Sequence, residues 1–290
     1  MTGPRPSYGV VVLTMGTRPE ELRRGLDSLL AQRDVDLDVV CVGNGWEPTG
    51  LPDGVRAHAL PENVGIPAGR NAGVPLVRGE LLFFLDDDAW LPDPGLLAEL
   101  ARRFADRPEL GLVQPRVVDP EGLAPRRWVP RMRKGDPARP SPVFSVWEGA
   151  VAMRRSLYEQ GATWPAPFFY AHEGIELAWR VWDQGAVTWY AGDLVVHHPA
   201  IDPLRHADFY RLNARNRVWL ARRNLPLPLG PLYVGTWTLV QLLRSRSDRP
   251  ALRAWFRGFA EGWRTDPGGR QRLRWRTVAV MTRHGRPPVV

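Results

Sequence analysis

Apolar positions along the chain fall into short, nearly continuous runs separated by stretches of helical spacing. Residues 8–15, 37–42, 55–60 and 110–118 read as strands, as does the apolar run that starts at Leu81, and runs without a polar alternate suit a sheet covered on both faces. Between them lie helical segments. Thr17 and Glu20 have capping-box spacing, Pro19 suits a first turn, and Leu22, Leu26, Leu29 and Leu30 recur at helical intervals. A short helix is expected just before Leu81, and a longer one over 92–104. Residues 143–153 and 187–196 resume the strand pattern, with a short helix over 155–160 between them. This alternation predicts an α/β fold with a Rossmann-like sheet. Residues 119–142 break the pattern, being rich in Pro and Arg, and read as a long mobile loop.

Beyond residue 200 the pattern changes to helices alone. Residues 204–223 form a strongly basic helix, LPLPLGP a proline-rich linker, and residues 232–243 an apolar helix. Leu252, Trp255, Phe256, Phe259 and Trp263 then repeat at helical spacing among Arg253, Arg257 and Arg264. Aromatics on one face with Arg around them suit a membrane interface. They equally suit docking on the preceding domain, with the Arg residues solvated. The expected division is 1–224 for the α/β domain and 225–290 for a basic amphipathic helical appendage.

The formal charge of +8 over 290 residues is unevenly spread. From Arg205 onward there are 18 Arg and four acids, so the first two thirds are near −6 and the last third near +14. Such a tail favours anionic partners, lipid or nucleic acid. No nucleic-acid readout motif accompanies it, and a nucleic-acid partner is not expected. The single cysteine, Cys41, excludes an internal disulfide and fits a reducing compartment. The start MTGPRP lacks the features of a secretory signal, and no run reaches the roughly 18 to 20 apolar residues that span a bilayer. The expectation is a cytoplasmic protein with peripheral contact at the inner face of the cell membrane.

Candidate chemistry centres on LLFFLDDDAW. An apolar strand runs into Asp86, Asp87 and Asp88, whose mutual repulsion calls for a cation or a network of donors. The alternative is a solvated acidic turn capping the next helix. Several other segments resemble the family 2 glycosyltransferases of GT-A fold, in the right order over about residues 8–224. Thr14 and Arg18 fit T-x-x-x-R, followed by DSLLAQ; NVGIPAGRN, from Asn63 to Asn71, is similar to N-x-G-x-x-x-G-R-N. The Asp triplet fits D-x-D, EGIELAWR resembles a late acidic helix motif, and RLNARNRVWL a terminal Arg-Asn helix.

That resemblance implies a mixed, mostly parallel GT-A sheet and an inverting transfer of a sugar from a nucleoside diphosphate donor to a hydroxyl acceptor, dependent on Mn or Mg. The transferase would be of hexosyl or deoxyhexosyl type, in cell wall or polysaccharide biosynthesis. Its acceptor would be a glycan, a lipid-linked glycan or a small molecule. It implies Asp88 as metal ligand and Asp86 at the ribose, sharing the metal. Asp87 is structural or binds the donor sugar. His197 and His198, ending a strand on the same edge, are candidate imidazole ligands. Thr14, Arg18, Asn44 and Asn63 would face the nucleotide, and Arg70 the phosphate. The family commonly has an Asp in V-D-N-G-S where this chain reads Val42-Gly43-Asn44-Gly45-Trp46, which leaves the base open between uridine, thymidine and guanosine.

The family also carries two adjacent acids where this chain has Glu173-Gly174. Glu173 is the expected general base, with Glu176 and His172 as alternatives, although Glu176 is also spaced for an i,i+4 pair with Arg180. Two other functions fit the same residues. One is a non-catalytic member that binds a nucleotide sugar or glycan, and the other a metal-dependent nucleotidyltransferase that releases pyrophosphate.

Overall fold

The computed structural model of the chain describes residues 5–123, 125, 128–130, 135–200 and 208–289. Among the described residues, eight strands form one sheet: β1 (Ser7–Thr14), β2 (Asp36–Asn44), β3 (Val55–Leu60), β4 (Leu81–Asp86), β5 (Leu110–Val118), β6 (Ser141–Pro142), β7 (Ala150–Arg154) and β8 (Val187–His197). Their order is β3-β2-β1-β4-β7-β5-β8-β6. β7 runs antiparallel between β4 and β5, and β6 pairs antiparallel with β8, while the other neighbours are parallel.

Side chains alternate across a strand, and β4 shows what this does in a sheet buried on both faces. Leu81, Phe83 and Leu85 join the cluster under helices α1 (Pro19–Leu30) and α3 (Leu96–Asp106). Leu82 and Phe84 join the opposite cluster, under the short helices α2 (Ile66–Gly73) and α4 (Arg155–Glu159) and under α5 (Glu173–Asp183). All five are almost wholly buried, each worth about 1.5–3 kcal/mol relative to exposure.

Four helices follow: α6 (Phe209–Asn224), α7 (Leu229–Arg244), α8 (Arg249–Arg264) and α9 (Trp275–Arg283). A third apolar cluster unites Trp219, Tyr233 and Met281 from these helices with Phe144, Phe168 and Trp179. Asp183 at the end of α5 accepts from the Arg274 backbone N–H at 2.8 Å and from the Thr277 hydroxyl at 2.6 Å. The helical region is thereby packed onto the α/β part.

Several expectations need correction. Helix α1 takes Arg18, not Thr17, as its N-cap and has no side-chain cap hydrogen bond. Pro19 stands in the first turn. Helix α3 begins four residues later than the pattern suggests, because Asp93 and Gly95 form a turn ahead of it. Of the expected 143–153 strand, only 150–153 lies in β7. The preceding segment crosses its edge, with Val143 N–H on the Thr188 carbonyl at 2.9 Å and Trp147 N–H on Gln114 Oε1 at 2.7 Å.

In the 119–142 segment, Trp128 is wholly buried, and Gln114 donates to its carbonyl at 2.8 Å. Its described part is thus anchored rather than a mobile loop. The expected helix start at Leu204 lies outside the described residues.

Candidate functional site

In a mostly parallel sheet the carboxyl ends of the strands converge on one edge, where ligands bind in open α/β folds. Thr14, Asn44, Asp86 and His197 end β1, β2, β4 and β8 at this edge. The Asp triplet begins there and turns inward: Asp87 and Asp88 are buried and Asp86 is half-buried.

Each acid has its own partners. Thr14 donates its hydroxyl to Asp87 Oδ2 at 2.7 Å, and Arg18 Nη2 pairs with Asp87 Oδ1 at 2.9 Å. Burial pushes the Asp87 carboxyl up, while the Arg18 guanidinium and the Thr14 hydroxyl pull it back. Its hydrogen bond to Thr14 ties the ends of β1 and β4 together. Asp88 contacts Arg18 as well and meets His198 Nε2 at 2.9 Å.

Asp86, Asp88 and His198 offer ligand atoms that all lie within 4.8 Å of one another. His198 Nδ1 lies 2.6 Å from the Pro199 carbonyl oxygen. A carbonyl only accepts, so Nδ1 carries the proton, which leaves Nε2, now turned to Asp88, as the ring atom that a cation would take as ligand. Two carboxylates and an imidazole oriented in this way fit a Mn2+ or Mg2+ ion. His197 does not join the group. Its Nδ1 sits 3.1 Å from the Asp119 carbonyl oxygen, and its ring stacks on Trp90 at 5.1 Å.

Arg70 differs from its expected role. Only 2% exposed, it donates to Asp86 Oδ1 at 2.6 Å and to the Glu148 carbonyl at 3.0 Å, and it lies over the Trp164 ring at 4.6 Å. In this arrangement its guanidinium is paired with Asp86. Asn44 and Asn63 are brought together, with Asn44 Nδ2 donating to Asn63 Oδ1 at 2.9 Å. Asn44 Oδ1 accepts from Val64 N–H at 2.9 Å, so its amide secures the loop into α2. The Trp46 ring packs so tightly on Gly16, whose φ is +72°, that any side chain there would collide with it.

Glu173 opens α5 and is 3% exposed. Burial first, then the neighbouring Glu148 carboxylate, push its carboxyl up to about 8. Among the described residues its Oε2 has no hydrogen-bond partner. Burial holds His172, the residue before it, well below its usual range and so neutral, with Nε2 2.9 Å from Asn213 Oδ1. The loop entering α5 is strained, since Phe169, Ala171 and His172 all have positive φ. Asn216 of α6 stabilises it by donating to the carbonyls of Phe168, Tyr170 and Ala171 at 2.9, 2.6 and 2.9 Å.

Glu176 is not paired with Arg180, the partner that helical spacing suggests. Its carboxylate accepts from Arg223 Nε and Nη2 and from Asn224 Nδ2. The terminal Arg-Asn helix therefore serves to hold the acidic helix.

Glu148 went unnoticed in the sequence, hidden inside what reads as a strand. No local signal marks it. Only the antiparallel course of β7 brings the residue preceding Gly149 and Ala150 back to the edge where β4 ends.

The chain matches the model of the family described as Glycosyl transferase family 2 over residues 10–161, just over half its length. It is 28% identical over 253 residues to the O-antigen biosynthesis protein RfbC of Myxococcus xanthus, an alignment that covers 74% of this chain and 20% of that protein. It thus spans about a fifth of that relative's length. Among solved structures, GalNAc-T7 with UDP, GalNAc and Mn2+ superposes with a TM-score of 0.60 at 14% identity, over 97% of this chain and 58% of that one. The mannosyltransferase PcManGT of Pyrobaculum calidifontis, in complex with GDP-Man and Mn2+, gives 0.55 at 17%, over 97% and 80%. Residues 1–349 of S. aureus TarS give 0.59 at 13%, over 94% and 83%. These likenesses establish the GT-A fold.

Proposed function

We propose that this chain, which belongs to glycosyl transferase family 2, moves a hexosyl or deoxyhexosyl group from a nucleoside diphosphate donor to a hydroxyl acceptor, with inversion at the anomeric carbon. The observation that carries the reading is the gathering of Asp86, Asp88 and His198 at the carboxyl edge of the sheet. A divalent cation, Mn2+ or Mg2+, bound there supplies positive charge to the departing diphosphate. Charge on that diphosphate grows as the bond to the sugar breaks, so residues that fix positive charge beside it favour the transition state over the ground state.

The roles of the chain's own residues follow. Thr14, Arg18, Asn44 and Asn63 border the nucleotide side, and Asp87 holds Thr14 and Arg18 in place. Arg70 fixes Asp86. Glu173 is the general base: the acceptor oxygen forms its bond to the anomeric carbon, its proton passes to the Glu173 carboxylate, and the electron pair of the broken bond leaves with the diphosphate.

The solved relatives carry UDP or GDP-mannose, and both bases stand as donor candidates beside thymidine. The Myxococcus xanthus relative points to a glycan or lipid-linked acceptor in surface polysaccharide assembly. Among the described residues no helix is long and apolar enough to cross a membrane. We assign the basic, aromatic-bearing α7–α8 region, the C-terminal unit of the proposed two-part division, a peripheral contact with anionic lipid.

The test is thermal stabilisation by UDP, GDP and dTDP with and without Mn2+ or Mg2+, followed by assay of the matching sugar donors for nucleotide release. Cation-dependent stabilisation together with nucleotide release is the expected result. Stabilisation without turnover of any donor would favour a non-catalytic binder, and pyrophosphate release from a nucleoside triphosphate would favour a nucleotidyltransferase.

A further inference from the structure

Gly174 follows Glu173 at the position where the sequence resemblance implies a second acid. A Cβ built on it would collide with the Glu148 carboxylate and with the Val146 carbonyl oxygen. The Gly174 N–H donates to Glu148 Oε1 at 2.7 Å, and the Gly174 carbonyl accepts from Val146 N–H at 3.3 Å. The segment before β7 thus lies across the first turn of α5, and its carboxylate fills the space that a side chain at 174 would take. At the other end, Gly149 accepts from the Asp86 N–H at 2.9 Å and the Glu148 carbonyl accepts from Arg70 at 3.0 Å, so the same segment is fastened to the cation-binding edge.

We propose that Glu148 is the second acid of the acceptor side, a positioning residue that replaces from the neighbouring loop the carboxylate missing at Gly174 and acts on the acceptor through Glu173. The inference rests on the proposed function and on Glu173 as base. Glu148 holds the first turn of α5 through the Gly174 amide, which fixes where Glu173 sits. When ionised, it adds to the larger effect of burial in strengthening the hold of Glu173 on a proton, and burial raises the Glu148 carboxyl as well. The other charged groups facing Glu173 are Arg70, which opposes this effect, and Asp86, which adds to it. His172 beside it is neutral. Gly174 is then a vacated position and not a lost function, because any side chain there would exclude Glu148.

Glu148→Gln tests this, since the amide oxygen can still accept from Gly174 N–H while the charge is gone. The full chain is assayed with UDP-glucose, GDP-mannose and dTDP-rhamnose plus Mn2+, reading nucleotide release against pH, alongside thermal stabilisation by the nucleotide and Mn2+. Expected are unchanged stabilisation, unchanged KM for the donor, kcat lowered about tenfold or more, and an acid limb of the pH profile moved to lower pH. The shift follows because removing a neighbouring negative charge lowers the proton affinity of Glu173. Glu148→Asp keeps the charge and should leave the limb in place while kcat falls. A Glu148→Gln protein with wild-type kcat and an unmoved limb overturns the proposal alone, provided that Glu173→Gln is inactive. A wild-type protein that turns over none of the donors overturns the functional reading and this inference together.

Discussion

The carboxylate of Glu176 and the guanidinium of Arg223 meet through Nε at 3.0 Å and Nη2 at 2.7 Å, joining the middle of α5 to the end of α6. Both side chains are largely buried, at 3% and 12% exposure, and Asn224 adds a further hydrogen bond to the same carboxylate. Removing one partner leaves a desolvated charge behind. Arg223→Ala should therefore destabilise the fold by about 3–5 kcal/mol, measured by urea unfolding. A loss below about 1 kcal/mol, the level of a surface pair, would show the pair to be dispensable.

Asn216 spans three carbonyls of a loop whose residues hold left-handed backbone conformations. Without it, buried carbonyls lose their donor and the strained loop loses its tether. Asn216→Ala should cost about 1–3 kcal/mol in stability. Turnover should fall more than nucleotide binding does, because the loop leads directly into Glu173, and the two assays run side by side check this.

The cation group separates from the rest of the edge by mutation. Asp88→Asn and His198→Ala should each abolish the extra thermal stabilisation that Mn2+ gives in the presence of nucleotide. His197→Ala should keep it, since that ring is engaged by Asp119 and Trp90. Equal loss in both histidine variants would contradict the three-residue group.

The Glu173 carboxyl has a definite pH signature. Its pKa is raised from the ordinary 4.5 of a glutamate to about 8 in the fold. Between these values the folded chain keeps a proton that the unfolded chain releases, so this group makes stability decline as pH rises and contributes no further decline above about 8. Glu173→Gln removes the liability. The variant should melt with wild type near pH 4.5 and above it at pH 8.5, by about 2–4 °C for each kcal/mol released. Turnover by wild type should rise toward pH 8, as the base gives up its resting proton.

Helix α8 docks on α6 through a small-residue stripe: Gly258 abuts the Arg211 backbone and Gly262 packs against Val218. Trp255 is buried with them, yet Phe256 and Trp263 remain 44% and 46% exposed, and Leu232, Leu239 and Leu243 of α7 are also exposed. Docking and an outward apolar face thus coexist. Binding to phosphatidylglycerol vesicles should appear at low salt, weaken with added salt, and drop in a Phe256→Ser/Trp263→Ser variant. Vesicle binding that the double substitution leaves unchanged would leave the basic charge as the sole attraction.

The elements that were legible in the sequence are those whose signal is local. Apolar runs placed β1, β2, β4 and β5 because burial on both faces leaves few polar alternates, β3 and β8 were placed despite their exposed positions, and the acids after Leu85 stood out as three in a row at a strand end. Phase and partnership were not legible. His197 and His198 are adjacent, and neighbours at a strand end point to opposite sides, so only one can reach Asp88. Glu176 found Arg223, 47 residues away, in place of Arg180 one turn away, because burying the α5–α6 contact outweighs a surface pair of a few tenths of a kcal/mol. Glu148 was invisible for the same reason, its significance residing in the return direction of β7.

That return direction leaves the chain before β7 without slack. Val143 is pinned to Thr188 on one side of the sheet and Gly149 to Asp86 on the other, and only five residues lie between the two anchors. Inserting or deleting a residue here would carry Glu148 past Gly174. Change in acceptor preference across relatives of this chain should therefore accumulate in segments free to lengthen, while this one keeps its length and varies only in side chains.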